Sequence, residues 1–129
     1  MQKFLVRELG LSKEQENKLI KAEKEFLPKL EVAFDKMHQG KIELYGKIFE
    51  PSKDSAKVDS LFRNIANCHA EIEKLLYFHF YEIKNICDSG QQEKLKNIQS
   101  RFLNFMDGSI KHHRPDTSDP ACGDDDDED

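Results

Sequence analysis

Five histidines and three cysteines are the residues of this 129-residue chain best suited to hold a metal ion. Neutral imidazole and thiolate suit zinc, copper or nickel, and carboxylates suit harder ions. His79, in "YFHFYEI", falls on an apolar stripe at helical spacing. It is either a histidine of the core or of a dimer interface, bonded to a carbonyl or carboxylate, or a metal ligand. The residue four positions on is Ile83, so a two-ligand i, i+4 pair is absent. His69 shares the stripe, but ten residues of helix is about 15 Å, too far for one shared ion. His38, beside Met37, supplies a second ligand only where the fold or a dimer brings it close. The C-terminal stretch offers His112, His113, Cys122 and a run of acids over 124–129. It is either a solvated tail that keeps the protein soluble or a loose metal store, since ordering its ligands costs entropy.

The cysteines are odd in number, so they do not form a disulfide framework. Cys68 and Cys87 are about 28 Å apart if one helix carries both, too far for a bond within that helix. They are expected as packed free thiols, with a bridge between subunits as the alternative in an oxidising compartment. Catalysis finds no support: there is no Gly-rich phosphate loop, and no nucleophile has an oriented base.

The elements that carry these residues are helices. The sequence has no Trp, 35% charged residues and no strand pattern. "QKFLVREL" over 2–9 predicts a short helix closed by Gly10. "LSKEQ", residues 11–15, predicts a helix start, with Ser12 capping the backbone and Gln15 reaching back to form a capping box. Leu19, Ala22, Phe26, Leu30, Ala33 and Met37 then follow three or four apart. Pro28 should bend this helix, since the stripe continues in phase beyond it. Gly40 and Gly46 weaken the stretch that follows. "EPSKDS", residues 50–55, is the clearest turn.

The third helix is the longest. Val58, Phe62, Ile65, His69, Ile72, Leu76, His79, Ile83 and Cys87 form its stripe, and Leu61, Cys68, Leu75, Phe78 and Ile86 widen it. From 55 to 87 it spans about 50 Å. Such a helix needs a partner, and the second helix running back across the turn is the obvious one. "CDSGQ", residues 87–91, repeats the capping signal with Asp88 and Gln91. A fourth helix follows with Leu95, Ile98, Phe102 and Phe105, ended by Asp107-Gly108.

The expected architecture is therefore all-α: a long antiparallel helical hairpin flanked by shorter helices over residues 1–106. Residues 107–129 are expected to be a disordered acidic tail. The tail carries about −7 of the net charge and the body about +2. Nine Phe and three Tyr are many for so thin a hairpin, so a homodimer is expected to cover them. There is no basic stripe for nucleic acid, no run of apolar residues long enough to span a membrane, and no signal peptide in the sequence as given.

The order of these pieces resembles the Spy/CpxP-like family of cell-envelope proteins, whose hallmark is a repeated Leu-Thr-x-x-Gln motif. Leu11, Ser12 and Gln15 match the first copy with Ser replacing Thr. Cys87, Asp88 and Gln91 match the second with both leading residues changed. "DSLFRNIANCHAEIEKLLYFHFYEIKNIC", residues 59–87, is similar to the helix that leads into the second motif in the heavy-metal-sensor branch. His79-Phe80 before an apolar run into Cys87 is its most specific piece. The resemblance covers roughly residues 2–106. It implies a cradle-shaped dimer in the periplasm, exported or tethered through an N-terminal segment not present here, and not an enzyme. Members act as metal sensors, as regulators of envelope-stress signalling, or as chaperones of unfolded clients. The sensors draw ligands from His, Glu and sometimes Met of the hairpin. The expected function is thus a periplasmic heavy-metal sensor or resistance-like protein. The alternatives are an ATP-independent chaperone that binds unfolded clients, or a ligand-free helical adaptor.

Overall fold

The structure, a computed structural model, describes the backbone of residues 2–111 and the side chains of residues 2–105. Every described element is helical, so the fold is all-α. The helices are α1 (Gln2–Leu9), α2 (Lys13–Gly46), α3 (Ser55–Ile86) and α4 (Ser89–Lys111), with a 3-10 turn at Lys47–Phe49. Most of residues 107–129, the expected tail, lies outside the described residues.

Local sequence sets the boundaries. Gly10 adopts φ +68, and the Gly10 and Leu11 N–H groups both donate to the Val6 carbonyl. The left-handed conformation suits glycine and stops α1 there. Ser12 caps α2 in extended geometry and forms the expected capping box with Gln15. Asp54 caps α3, its side chain accepting from the Lys57 N–H at 3.1 Å.

The chain divides into two compact units, one ending at Gln91 and the other beginning at Gln92. The first holds α1, the hairpin and the opening of α4. Within it α2 and α3 pack antiparallel. Glu23 faces His79, Gly40 faces Ile65, and Glu43 meets Lys57 at 3.3 Å near the turn. The core is narrow: Leu19, Ala22, Phe26 and Ala33 from α2 are buried, with Leu61, Ile72 and Ile83 from α3. Each large side chain fully buried here contributes roughly 1.5–3 kcal/mol. α1 packs on α2 and adds Leu5 and Leu9, both almost fully buried. In the second unit Leu95 and Ile98 are buried, whereas Phe105 is 73% exposed.

Three expectations need correction. Phe62 and His69 are exposed, and Leu61 is buried in their place. Ile72, His79, Ile83 and Cys87 of the expected stripe are buried, joined by Leu61 from its widened edge, so the stripe departs from the core only in its first half. Gly40 does not weaken a separate segment, because α2 is a single 34-residue helix. A Cβ at Gly40 would lie 3.3 Å from Ile65 Cγ1, so the glycine lets the two helices approach. α4 is described to Lys111, beyond the expected stop at Asp107-Gly108. A helical glycine costs about 1 kcal/mol relative to alanine, which weakens a helix without ending it. Pro28 likewise sits inside α2 without terminating it. It is exposed, so water can serve the carbonyl that loses its N–H partner.

The two helical glycines of the hairpin should respond oppositely to substitution. Nothing lies within 4 Å of a Cβ at Gly46, so Gly46→Ala should raise stability by about 0.5–1 kcal/mol. Gly40→Val should lower it by about 1–3 kcal/mol through overpacking against Ile65. Urea midpoints of the two variants check both signs.

Candidate functional site

Two polar clusters interrupt the apolar hairpin. The first joins the two capping signals. Ser12 Oγ accepts from the Gln15 N–H at 3.2 Å, and Gln15 Oε1 accepts from the Ser12 N–H at 2.8 Å. Asp88 and Gln91 repeat this at 2.8 and 2.9 Å. The two glutamines then meet. Gln15 Nε2 donates to Gln91 Oε1 at 2.7 Å, and Gln91 Nε2 donates to Gln15 Oε1 at 3.1 Å. Their remaining amide protons go to carbonyls two residues ahead of the opposite capper. Gln15 Nε2 donates to Ile86 O at 2.9 Å, and Gln91 Nε2 donates to Gly10 O at 3.0 Å.

Each amide thus uses two donors and two acceptor positions, its full complement. The arrangement has a local two-fold relation, which explains why the same four-residue signal occurs twice. Each glutamine needs a capper four-residue turn to fix its own side chain and the other glutamine to complete its bonds. A fully satisfied, part-buried network of this kind fixes geometry as well as adding stability.

The second cluster is Glu23 and His79, about two helical turns from Gln15 along α2 and from Ile86 along α3 respectively. The side chains are 8% and 1% exposed, and Glu23 Oε2 lies 3.7 Å from His79 Nε2. That is longer than a hydrogen bond. Glu23 Oε2 and both imidazole nitrogens have no hydrogen-bond partner among the described residues. Phe26 stacks on the imidazole, with ring centres 3.9 Å apart and planes within 3°. Burial pushes the His79 imidazole down to about 4 and pushes the Glu23 carboxyl up. At neutral pH the imidazole is therefore uncharged, the form that ligates metal.

The other candidates stand apart. His38 is exposed, and fifteen residues of α2, about 22 Å, separate it from Glu23 and hence from the level of His79. The hairpin does not bring His38 and His79 together. His69 is exposed and lies 3.6 Å from Glu73 on its own helix. His112, His113 and Cys122 lie outside the described residues. Neither Cys68 nor Cys87 forms a disulfide among the described residues. Burial and the neighbouring Asp88 carboxylate raise the Cys87 pKa, which keeps that thiol protonated.

Glu23 is the residue that sequence reasoning missed. The signal was present: a carboxylate at a stripe position, four after Leu19 and three before Phe26. A zinc, copper or nickel ion is the group implied by the family resemblance, and the pair offers it a partial fit. Two ligands of a tetrahedral ion with bonds near 2.1 Å stand about 3.4 Å apart, close to the observed separation. The donors are one nitrogen and one oxygen, a set for a borderline divalent ion. No group of three or more His, Cys, Asp or Glu assembles among the described residues. Glu23 and His79 would supply two positions of a coordination shell at most.

No protein-family model matches the chain, and neither the curated proteins nor the solved structures include a match.

Two outcomes test this geometry. Gln15→Ala and Gln91→Ala should each cost about 1–3 kcal/mol, because each orphans the other amide. The double variant should cost clearly less than the sum, read from a double-mutant cycle in urea. The second outcome concerns pH. Between about 6.5 and about 4 the unfolded chain binds a proton at His79 that the folded chain refuses. Stability from this group is therefore lost as pH falls through that window. Glu23 acts in the opposite sense, because its raised folded value favours the protonated form. The margin of the wild type over His79→Gln should shrink by on the order of 3 kcal/mol from pH 6.5 to 4. Glu23→Gln should deepen the acid loss. A margin that stays flat contradicts an uncharged His79.

Proposed function

We propose that this chain is a non-enzymatic, Spy/CpxP-like module of the cell envelope, working as a periplasmic or membrane-tethered homodimer. Its role is that of a heavy-metal sensor or resistance-like protein. The observation that carries this reading is the buried Glu23–His79 pair, with three unpartnered polar atoms drawn from two helices. A buried unsatisfied group costs about 1–3 kcal/mol, and an apolar pair of similar size would avoid that cost. Groups kept in such a state mark functional sites more often than ordinary core positions. The mutual engagement of the two capping signals supports the family resemblance, since it gives the duplicated motif a shared task. A bound zinc, copper or nickel ion would supply the charge that the pair lacks partners for, and would tie α2 to α3.

A second reading has its own support. Phe49 is 87% exposed, Ile48 68%, and Tyr77 and Phe78 more than 60%. Large apolar side chains left at the surface in this number suit contact with another protein. They support an ATP-independent chaperone that holds unfolded clients.

Calorimetric titration of the full chain with zinc, copper and nickel tests the first reading. Binding at micromolar strength or tighter should persist when His112, His113 and Cys122 are replaced together, and should fall at least tenfold in His79→Ala and in Glu23→Ala. Binding lost with the three tail residues but retained in His79→Ala would overturn the assignment to the hairpin. No binding to the full chain would remove the metal reading altogether.

A further inference from the structure

The two sides of the α2–α3 hairpin differ in chemistry. At the turn end, Tyr45 and Ile48 share a concavity with Val58 and Phe62, so these flanks of the two helices lie on one side. About 18 residues make five whole helical turns. Leu27 therefore stands directly along α2 from Tyr45, and Leu76 directly along α3 from Val58. Phe34 lies between Leu27 and Tyr45, about two turns from the former. The other side is polar. Lys29 and Lys36 come two positions after Leu27 and Phe34, about 200° around α2. They line a groove with Asn67 and Glu71, which Gln39 and Asn64 continue.

Leu27, Phe34, Tyr45, Ile48 and Phe62 are between 43% and 68% exposed. At roughly 200 Å² for a large side chain, they leave on the order of 500 Å² open to water. Half-buried Leu30, Met37, Val58, Ile65 and Leu76 extend this surface. Its size is at or above the top of the range of about 300–600 Å² that a monomer leaves as its largest apolar patch. Two such faces stacked together would remove about 1,000 Å² or more, the size that a specific interface requires. Lys41 on α2 and the His69–Glu73 pair on α3 interrupt the face. Long charged side chains can lay their stems along apolar surface and keep the charge at the rim.

We propose that this face is an isologous interface, closed by the same face of a second copy of the chain. An apolar helical layer is buried best by another layer of equal length. A second hairpin supplies that length already ordered, and two stacked hairpins make a four-helix arrangement. An unfolded segment would lose its conformational freedom along the whole face. The inference rests on the homodimer of the proposed module and deepens it by naming the surface that forms it.

Sedimentation equilibrium of the full chain tests the interface. The wild type should dimerise, and Phe34→Asp and Phe62→Asp should each raise the dissociation constant about tenfold or more. Ile42→Asp, at an exposed apolar side chain of α2 that lines the polar groove, should leave it within about twofold. Circular dichroism establishes that the variants keep their helices. The chain has no Trp, so a single introduced indole reports its own surroundings. The emission of Phe34→Trp should move to the red on dilution through the dimer transition, and that of Ile42→Trp should stay in place. A dimer of unchanged strength in Phe34→Asp and Phe62→Asp would overturn the face and leave the homodimer standing. Equal losses in Ile42→Asp would overturn the face as well. A chain that stays monomeric at every concentration would remove the homodimer itself. A monomer whose Phe34→Trp emission turns blue only when denatured client is added would give the face to clients instead.

Discussion

The reciprocal pair of Gln15 and Gln91 is the constraint on which the hairpin depends. Helices of 34 and 32 residues are joined at one end by a short turn. At their other ends no turn joins them. Two amides, each holding its own helix start and each completed by the other, close that end. A hydrophobic contact there would permit sliding by a turn, since apolar packing is not directional. Four hydrogen bonds between the two halves, with fixed donors and acceptors, do not permit it. The carbonyls of Gly10 and Ile86 are part of the same closure, so the loop after α1 and the end of α3 are held by it as well.

The register so fixed explains why Glu23 and His79 face each other. They sit at corresponding depths above the glutamines, one on each long helix. The two clusters differ in kind. The glutamines are polar groups with every bond made. Glu23 and His79 are polar groups with bonds missing, held beside Phe26 in a narrow core. A sequence optimised for stability alone would place apolar residues at both positions. A satisfied network thus lies beside one that is left unsatisfied.

Much of this architecture could be read in the sequence. The helix starts at Ser12 and Asp88, the stop at Gly10 and the turn at 50–55 are local chemistry, and the structure shows them where expected. The core line of α3 was less legible. Phe62 and His69 have the right spacing for a buried stripe, but Leu61 lies only 100° around the helix and is equally apolar. Which line faces α2 depends on the partner helix. The meeting of the two glutamines was not legible either. Each capping box satisfies local rules by itself, and only the tertiary fold shows that each leaves a pair of amide protons for the other. Glu23 was hidden because a charged residue in an apolar stripe is ordinarily read as solvated.

The most direct measurement is hydrogen exchange of the Gln15 and Gln91 side-chain amides by nuclear magnetic resonance, with each assigned by substitution. If the two glutamines close the hairpin, both amide groups should exchange far more slowly than exposed glutamines such as Gln39. Loss of Gln15 should return Gln91 to the exposed rate, and the reverse. Two amides that exchange at the exposed rate in the wild type would contradict the closure, and with it the register that brings Glu23 to His79.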